Sequence, residues 1–169
     1  MHAYKLLAPR PVWLVTTVDA KGRINAAPFS FVMPVEFDPP LVSFACGREH
    51  HTYKNIAETK EFVINIPSAS LKKQILVCGK AWPVGVNELE KAGLKWAKAK
   101  KVKPPLVKEC PINLECILKE IREGEHCLVI GEVVEAHFKK EVFNGKVNLK
   151  NFKPLMHLGG IDFATADEI

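Results

Sequence analysis

The sequence lacks any long apolar run of the kind that crosses a membrane, and its first residues carry no cleavage signal. Its five cysteines are an odd number without a Cys-X-X-Cys pair, so neither a disulfide framework nor a zinc knuckle is expected. Unpaired cysteines are typical of proteins in a reducing compartment. Together these absences predict a cytoplasmic protein without a membrane segment.

Motifs of several enzyme classes are also missing. There is no Walker A sequence and no Gly-X-Gly-X-X-Gly after a strand, so a P-loop or Rossmann cofactor site is not expected. The Gly-X-Ser-X-Gly elbow of serine hydrolases and the His-Glu-X-X-His of metalloproteases do not occur. The adjacent His50 and His51 cannot place both rings on one strand face, so we expect no metal site.

The composition of the chain is ordinary for a globular protein, with 47% hydrophobic and 25% charged residues. A length of 169 residues predicts a single domain over residues 1–169. The net charge of +5 suits anionic small molecules such as nucleotides and does not require nucleic acid as a partner.

Strand-like segments separated by short turns dominate the chain. β-Branched and apolar residues at 11–19 predict a strand buried on both faces, which the turn at 19–22 joins to a second strand. Further strands are predicted at 41–46, 61–66, 112–121 and 126–139. About seven strands and two or three small helices indicate a mainly β protein, a closed or nearly closed antiparallel barrel.

The second strand, at residues 23–31, is unusual because its central side chains are small. Ala26, Ala27 and Ser30 leave the backbone open, so a flat ring could lie against main-chain N–H and C=O groups. Pro28 removes one donor from the ladder, which predicts a strand at a sheet edge or a bulge. Close packing of a neighbouring element is the other explanation of the same pattern.

The segment that begins at Arg48 combines the features of an anion site. Thr52 is predicted to cap a helix over 53–59, whose N-terminus presents free N–H groups and a partial positive charge. Arg48, His51 and Lys54 add cationic donors, a combination that suits phosphate. An ordinary capped helix with solvated charges is the alternative.

Single cysteines and histidines give weaker indications. Cys46 could act as a nucleophile, although a cysteine at a strand end is more often a small core residue. His126 and His157 each stand close to glycine at an element boundary, where a ligand can reach the ring. Both histidines are therefore candidate site residues.

Several short motifs occur in the same order as in a known family. They are Arg10-Pro11-Val12, Thr16-Thr17-Val18-Asp19, Gly22-Arg23-Ile24-Asn25-Ala26-Ala27-Pro28-Phe29-Ser30, Asp38-Pro39-Pro40, Thr52-Tyr53-Lys54-Asn55-Ile56, Phe62-Val63-Ile64-Asn65-Ile66-Pro67 and Gly131-Glu132-Val133. With this ordered set the chain resembles the flavin reductase-like FMN-binding split-barrel family, in particular its flavoredoxin and ferric-reductase branch.

The resemblance implies a six- to seven-stranded antiparallel Greek-key split barrel that forms a homodimer and binds FMN near the subunit interface. The strand residues that it assigns to the isoalloxazine ring are Asn25, Ala26, Ala27, Pro28, Phe29 and Ser30. Those that it assigns to the ribityl chain and phosphate are Cys46, Arg48, Thr52 and Lys54, with His51 in the same segment.

Two histidines receive roles from the same resemblance. His126 matches a Gly-Asp-His element near the nicotinamide site, with Glu125 in place of the aspartate, and is the implied catalytic residue. His157 belongs to a C-terminal element close to the flavin. The implied activity is an FMN-dependent reductase that takes hydride from NAD(P)H and passes electrons to free flavin, a ferric complex or a partner protein. An FMN-binding electron carrier without a nicotinamide site and a relative of the pyridoxamine-phosphate oxidases are the alternatives.

Overall fold

The computed structural model describes residues 3–169 and consists mainly of β-strands. The strands are β1 (Arg10–Pro11), β2 (Trp13–Val18), β3 (Ile24–Phe29), β4 (Val32–Glu36), β5 (Leu41–Gly47), β6 (Glu61–Ile66), β7 (Trp96–Ala97), β8 (Leu106–Val107), β9 (Ile112–Arg122), β10 (His126–Phe138), β11 (Met156–Gly159) and β12 (Asp162–Ala164). The helices are α1 (His51–Thr59), α2 (Lys72–Cys78) and α3 (Glu88–Ala92), and 3-10 turns lie at Ala3–Leu7 and Ala69–Leu71. No helix within residues 3–169 is long and apolar enough to cross a membrane.

Seven strands form one antiparallel sheet in the order β3-β2-β6-β9-β10-β5-β4, and this sheet curls into a half-barrel. The smaller sheets are β1-β11-β12 and β7-β8. The predicted mainly β fold with a six- to seven-stranded antiparallel split barrel is confirmed. β3 and β4 are the two edges of the large sheet.

Strand β2 is buried along its whole length because the sheet has a hydrophobic core on both faces, as the sequence predicts. Leu14 packs with Ile75 of α2 in one cluster. The neighbouring Val15 points to the opposite face and packs with Phe62 in the other cluster. Side chains that alternate between two cores explain why apolar residues occupy both faces of the strand. Its two polar residues, Thr16 and Thr17, are also fully buried.

The predicted hairpin of β2 and β3 is confirmed. In the turn between β2 and β3 the Asp19 carboxylate accepts the N–H groups of Lys21 and Arg23, each at 2.9 Å. β9 and β10 form a long hairpin whose register shifts at Gly131. A Cβ atom there would lie 2.4 Å from the Phe62 ring, so only glycine fits the bulge.

Two local features differ from expectation. No strand is predicted over residues 32–36, yet these residues form β4, an edge strand that tolerates Pro34. The predicted Thr52 cap is wrong, because α1 begins at His51 and no side chain caps it. Thr52 lies inside the first turn, where its buried hydroxyl is 3.1 Å from the Asn25 amide on β3.

A single buried carboxylate orders the lysine-rich segment 94–105. Its lysines are exposed, as expected of a solvated connection, but Glu115 of β9 is fully buried beneath it. Glu115 accepts the backbone N–H groups of residues 100–102, and His137 Nε2 lies 2.6 Å from its Oε1. Burial alone would raise the pKa of Glu115, but the hydrogen bonds from Lys100 and His137 outweigh burial, so this pKa lies below its ordinary value.

Replacing Glu115 with alanine should lower the free energy of unfolding at neutral pH by about 3 kcal/mol, because buried N–H groups then lose their acceptor. A carboxyl whose pKa is lowered by folding stabilises the protein above the pKa of the unfolded chain, and this stabilisation is lost as pH falls through the folded value. The difference between wild type and Glu115→Ala should therefore shrink in acid.

Urea denaturation at several pH values measures this difference. Glu120→Ala removes an exposed carboxylate from the same strand and serves as the control. A penalty for Glu115→Ala that stays constant from neutral to acidic pH would contradict the assignment of the carboxylate as the stabilising species.

Candidate functional site

Three neighbouring cavities lie along β3 and the start of α1. The main cavity is a cleft of about 870 Å³ whose walls include Pro28, Phe29, Ser30, His50, His126 and His157. The second cavity, of about 370 Å³, is lined by Asn25, Ala27, His51, Thr52 and Glu88, and shares Pro28, Phe29 and His50 with the main cavity. The third cavity, of about 290 Å³, is lined by Asn25, His51 and Lys54, together with Lys21 and Arg23.

The three cavities adjoin because they share wall residues. Pro28, Phe29 and His50 separate the main cavity from the second, and Asn25 and His51 separate the second from the third. An elongated ligand could therefore extend from the main cavity past β3 to the N-terminus of α1. The structure brings ten of the thirteen residues that the sequence assigned to the site to these cavities; Ala26, Cys46 and Arg48 lie outside them.

The outer edge of β3 is less open than its small side chains suggest. β3 is a sheet edge, as Pro28 predicts. The N–H of Ala26 donates to Glu88 Oε2 at 2.8 Å, and Ala26 itself is fully buried. Pro28 has no N–H to offer. A ligand that approaches this part of the edge therefore meets a carboxylate where the sequence indicates a free backbone donor.

The residues expected to bind phosphate have different surroundings. α1 begins without a side-chain cap, and its first residue, His51, lines both the second and the third cavities. Lys54 lines the third cavity. Arg48 lies elsewhere, with its Nη2 atom 2.5 Å from Glu123 Oε2. The features at the cavities that suit an anion are thus the helix N-terminus, His51 and Lys54.

Cys46 lies beneath the site. Its Sγ atom is buried, 3.6 Å from the Gly47 carbonyl oxygen and 4.0 Å from His50 Nδ1. Burial raises the pKa of the Cys46 thiol to about 12. Because such a thiol is protonated at neutral pH, Cys46 is a core residue and not a nucleophile.

His126 reaches the main cavity from the start of β10, where it pairs with Gly47 of β5. Its side chain is exposed at the cavity rim. His137, eleven residues later on the same strand, contacts Glu115 on another part of the sheet. Only His126 of these two histidines is placed where a ligand in the main cavity could contact it.

His157 is held in one orientation by its neighbours. Its Nδ1 atom lies 3.0 Å from Ser30 Oγ and 3.4 Å from Arg10 Nη2, and its Nε2 atom lies 3.2 Å from the Gly160 carbonyl oxygen. A carbonyl can only accept and a guanidinium can only donate. Nε2 of His157 therefore carries the proton, and Nδ1 is the acceptor.

Among the cavity residues that sequence does not assign to the site are Arg10, His50 and Glu88. His50 is adjacent to the candidate His51, and sequence alone does not show which of the two rings faces a cavity. Glu88 follows the Asn87 cap and looks like an ordinary carboxylate of a first helical turn. Its partner Ala26 is 62 residues away, so no local signal identifies the contact.

All five cysteines are free and buried, so a thiol reagent should modify the native protein slowly. We expect little reaction with DTNB under native conditions and reaction of all five thiols after denaturation. A Lys98→Cys variant, which places a thiol on the exposed lysine-rich segment, should react at once and serves as the positive control. Rapid modification of native Cys46, identified by peptide mass, would contradict its assignment to the core.

Known proteins with the same fold identify the family. A flavin reductase like domain matches residues 6–160. Nitrilotriacetate monooxygenase component B from Bacillus cereus is 32% identical, with a TM-score of 0.91 over 99% of this chain and 91% of that chain. Flavoredoxin from Methanosarcina acetivorans is 27% identical, with a TM-score of 0.83 over 95% and 87% of the two chains. At 23% identity, an FMN-binding domain of a flavin reductases-like enzyme from Shewanella baltica has the same fold, with a TM-score of 0.84 over 99% and 91%. The chain therefore belongs to the flavin reductase-like family.

Proposed function

We propose that this protein is an FMN-dependent oxidoreductase that takes hydride from NAD(P)H and passes electrons to a small-molecule or protein acceptor. The observation that carries the proposal is the groove formed by two adjoining cavities, the main and the second, which share Pro28, Phe29 and His50 as wall residues. Its walls contain the small-residue strand β3, the start of α1 and His126. The family of the chain, flavin reductase-like, supports the same function.

The residues present suit FMN. The main cavity of about 870 Å³ falls within the usual range for small-molecule sites. Ala27 leaves room beside β3 for a flat ring, and the uncapped N-terminus of α1 with His51 and Lys54 suits a phosphate group. When bound, the flavin supplies the redox chemistry, because its N5 position accepts hydride and its reduced form releases electrons.

The chain's own residues bind and orient in this proposal. His126 stands at the exposed rim of the main cavity, where it would contact and orient a nicotinamide. His157 is part of the cavity wall, and both of its ring nitrogens have partners. Nε2 donates to the Gly160 carbonyl, and Nδ1 accepts from Ser30 and Arg10. Of these two histidines, His126 is the one whose ring is exposed at the cavity rim.

The primary test is the visible spectrum of the purified protein, with the released chromophore identified, before and after anaerobic addition of NADH or NADPH. We expect FMN that is bleached by a pyridine nucleotide. A protein that carries FMN but is not bleached would be an electron carrier reduced by another protein. A colourless protein that fails to bind added FMN would overturn the proposal.

Replacing His126 with alanine should slow bleaching by NAD(P)H about tenfold or more, with the affinity for FMN unchanged, because the ring positions the nicotinamide and not the flavin. Stopped-flow absorbance measures the rate, and fluorescence titration of the apoprotein measures the affinity. Glu120→Ala, an exposed residue of the preceding strand β9 that lines none of the three cavities, is the control. An unchanged bleaching rate in His126→Ala would remove this residue from the nicotinamide site.

The homodimer expected from the family resemblance is part of the proposal. The edge strand β4 and its flanks carry four exposed apolar residues, Phe31, Met33, Val35 and Phe37, which are 45%, 50%, 44% and 97% exposed. An exposed apolar row of this size on a sheet edge indicates an interaction surface. Phe31 also lines the main cavity, so a second copy seated here would contribute to the site.

Met33→Asp, at the centre of this row, should convert the dimer to a monomer and weaken FMN binding about tenfold or more, because a buried unpaired charge opposes association. Sedimentation velocity and FMN titration measure the two effects. Lys73→Ala, on the exposed side of α2, lowers the net charge by the same one unit and is the control. A monomeric wild-type protein that binds FMN tightly would contradict the dimer.

A further inference from the structure

Glu88 is a carboxylate buried in the wall of the second cavity. It is the first residue of α3, and only 4% of its surface is exposed. A carboxylate is seldom buried unless other groups compensate its charge, because removal from water is costly. The partners of Glu88 therefore indicate what it does.

The Glu88 carboxylate joins β3 to α1. Its Oε2 atom accepts the N–H of Ala26 at 2.8 Å. The Asn25 amide can take two orientations, and one of them gives hydrogen-bond partners to both its nitrogen and its oxygen. In that orientation the NH₂ group lies 3.2 Å from Glu88 Oε1, and the amide oxygen lies 3.1 Å from Thr52 Oγ1. Glu88 thus determines how Asn25 presents its amide beside the cavity, and Asn25 in turn contacts the first turn of α1.

The donors to this carboxylate are neutral. Within residues 3–169, Glu88 forms no ion pair with a lysine, arginine or histidine. Burial raises the pKa of Glu88, and the hydrogen bond from Ala26 offsets part of this effect. When ionised, the carboxylate is a negative charge in a weakly screened position, so it acts on any charged group that enters the second cavity.

We propose that Glu88 is a positioning residue of the cofactor site, which orients Asn25 and the Ala26 N–H and lowers the reduction potential of bound FMN through its negative charge. This inference rests on the proposed function, because it requires that FMN occupies the groove. Reduced flavin gathers negative charge at its N1–C2 carbonyl edge, so a nearby carboxylate weakens the binding of reduced FMN more than that of oxidised FMN.

The experiment compares wild type with Glu88→Gln, in which a neutral amide of the same shape can still accept the Ala26 N–H. At pH values above the Glu88 pKa, we expect the variant to bind reduced FMN more tightly relative to oxidised FMN, with the ratio of the two affinities raised about tenfold. One charge within about 10 Å produces an effect of this size at an effective dielectric constant of about 20. A tenfold ratio is about 30 mV on a two-electron couple. Below the Glu88 pKa the carboxyl is neutral, so the two potentials should converge.

The potential of bound FMN is measured by equilibrium dye titration from about pH 4 to about pH 9, a range that brackets the ordinary carboxyl and imidazole values. The other titratable groups that face the second cavity are Glu49, His50, His51, Cys78 and Lys80. They are common to both proteins, so a difference that grows with pH reports Glu88. Glu90→Gln removes an exposed carboxylate from the same helix and should reproduce the wild-type potentials.

A second readout needs no cofactor. In the apoprotein, the NMR shifts of the Ala26 amide and the Asn25 side-chain NH₂ should titrate together with pH in wild type and stay constant in Glu88→Gln. Thermal melting of both proteins checks that the variant is folded.

The outcomes separate the two proposals. If wild type binds no FMN, the proposed function fails, and the amide titration still judges the positioning role. If wild type binds FMN and Glu88→Gln has the same potential at every pH, the influence of Glu88 on the flavin is overturned and the proposed function stands. Amide shifts that titrate equally in both proteins would overturn the positioning role.

Discussion

The outer edge of β3 is the constraint on which the site depends. A strand edge carries N–H and C=O groups that need partners, and an unprotected edge invites another strand. Here Glu88 takes the N–H of Ala26, and Pro28 removes the next outward donor. The edge is thereby protected against pairing with another strand, while the small side chains of Ala27 and Ser30 keep space beside it.

The charges around the groove are unevenly distributed along its length. At one end, the uncapped start of α1 with His51 and Lys54 attracts anions. In the wall of the second cavity, Glu88 provides the opposite charge within a buried environment. Cationic residues on solvated elements can be added with little cost, but a buried carboxylate needs hydrogen bonds from elements distant in sequence. This difference explains why the cationic segment is evident in the sequence and Glu88 is not.

Prediction from the sequence succeeded where one physical cause dominates a segment. The burial of β2 on both faces follows from its two hydrophobic cores. Prediction from the sequence failed where tertiary contacts override the local conformational preference of a residue. Thr52 has the residue type of a helix cap, but its hydroxyl pairs with Asn25 and the helix begins at His51, two residues before the predicted start.

The sequence by itself determined the strand pattern, the edge position of β3, the ordered motifs of the flavin reductase-like family and most residues of the groove, because periodicity, proline and glycine act locally. Only the tertiary structure decided that Ala26 and Glu88 share a hydrogen bond, that Arg48 turns to Glu123 and that Cys46 is buried. These contacts join residues far apart in the chain or depend on the exclusion of water. They arise only when the sheet has curled and its edges have met the helices.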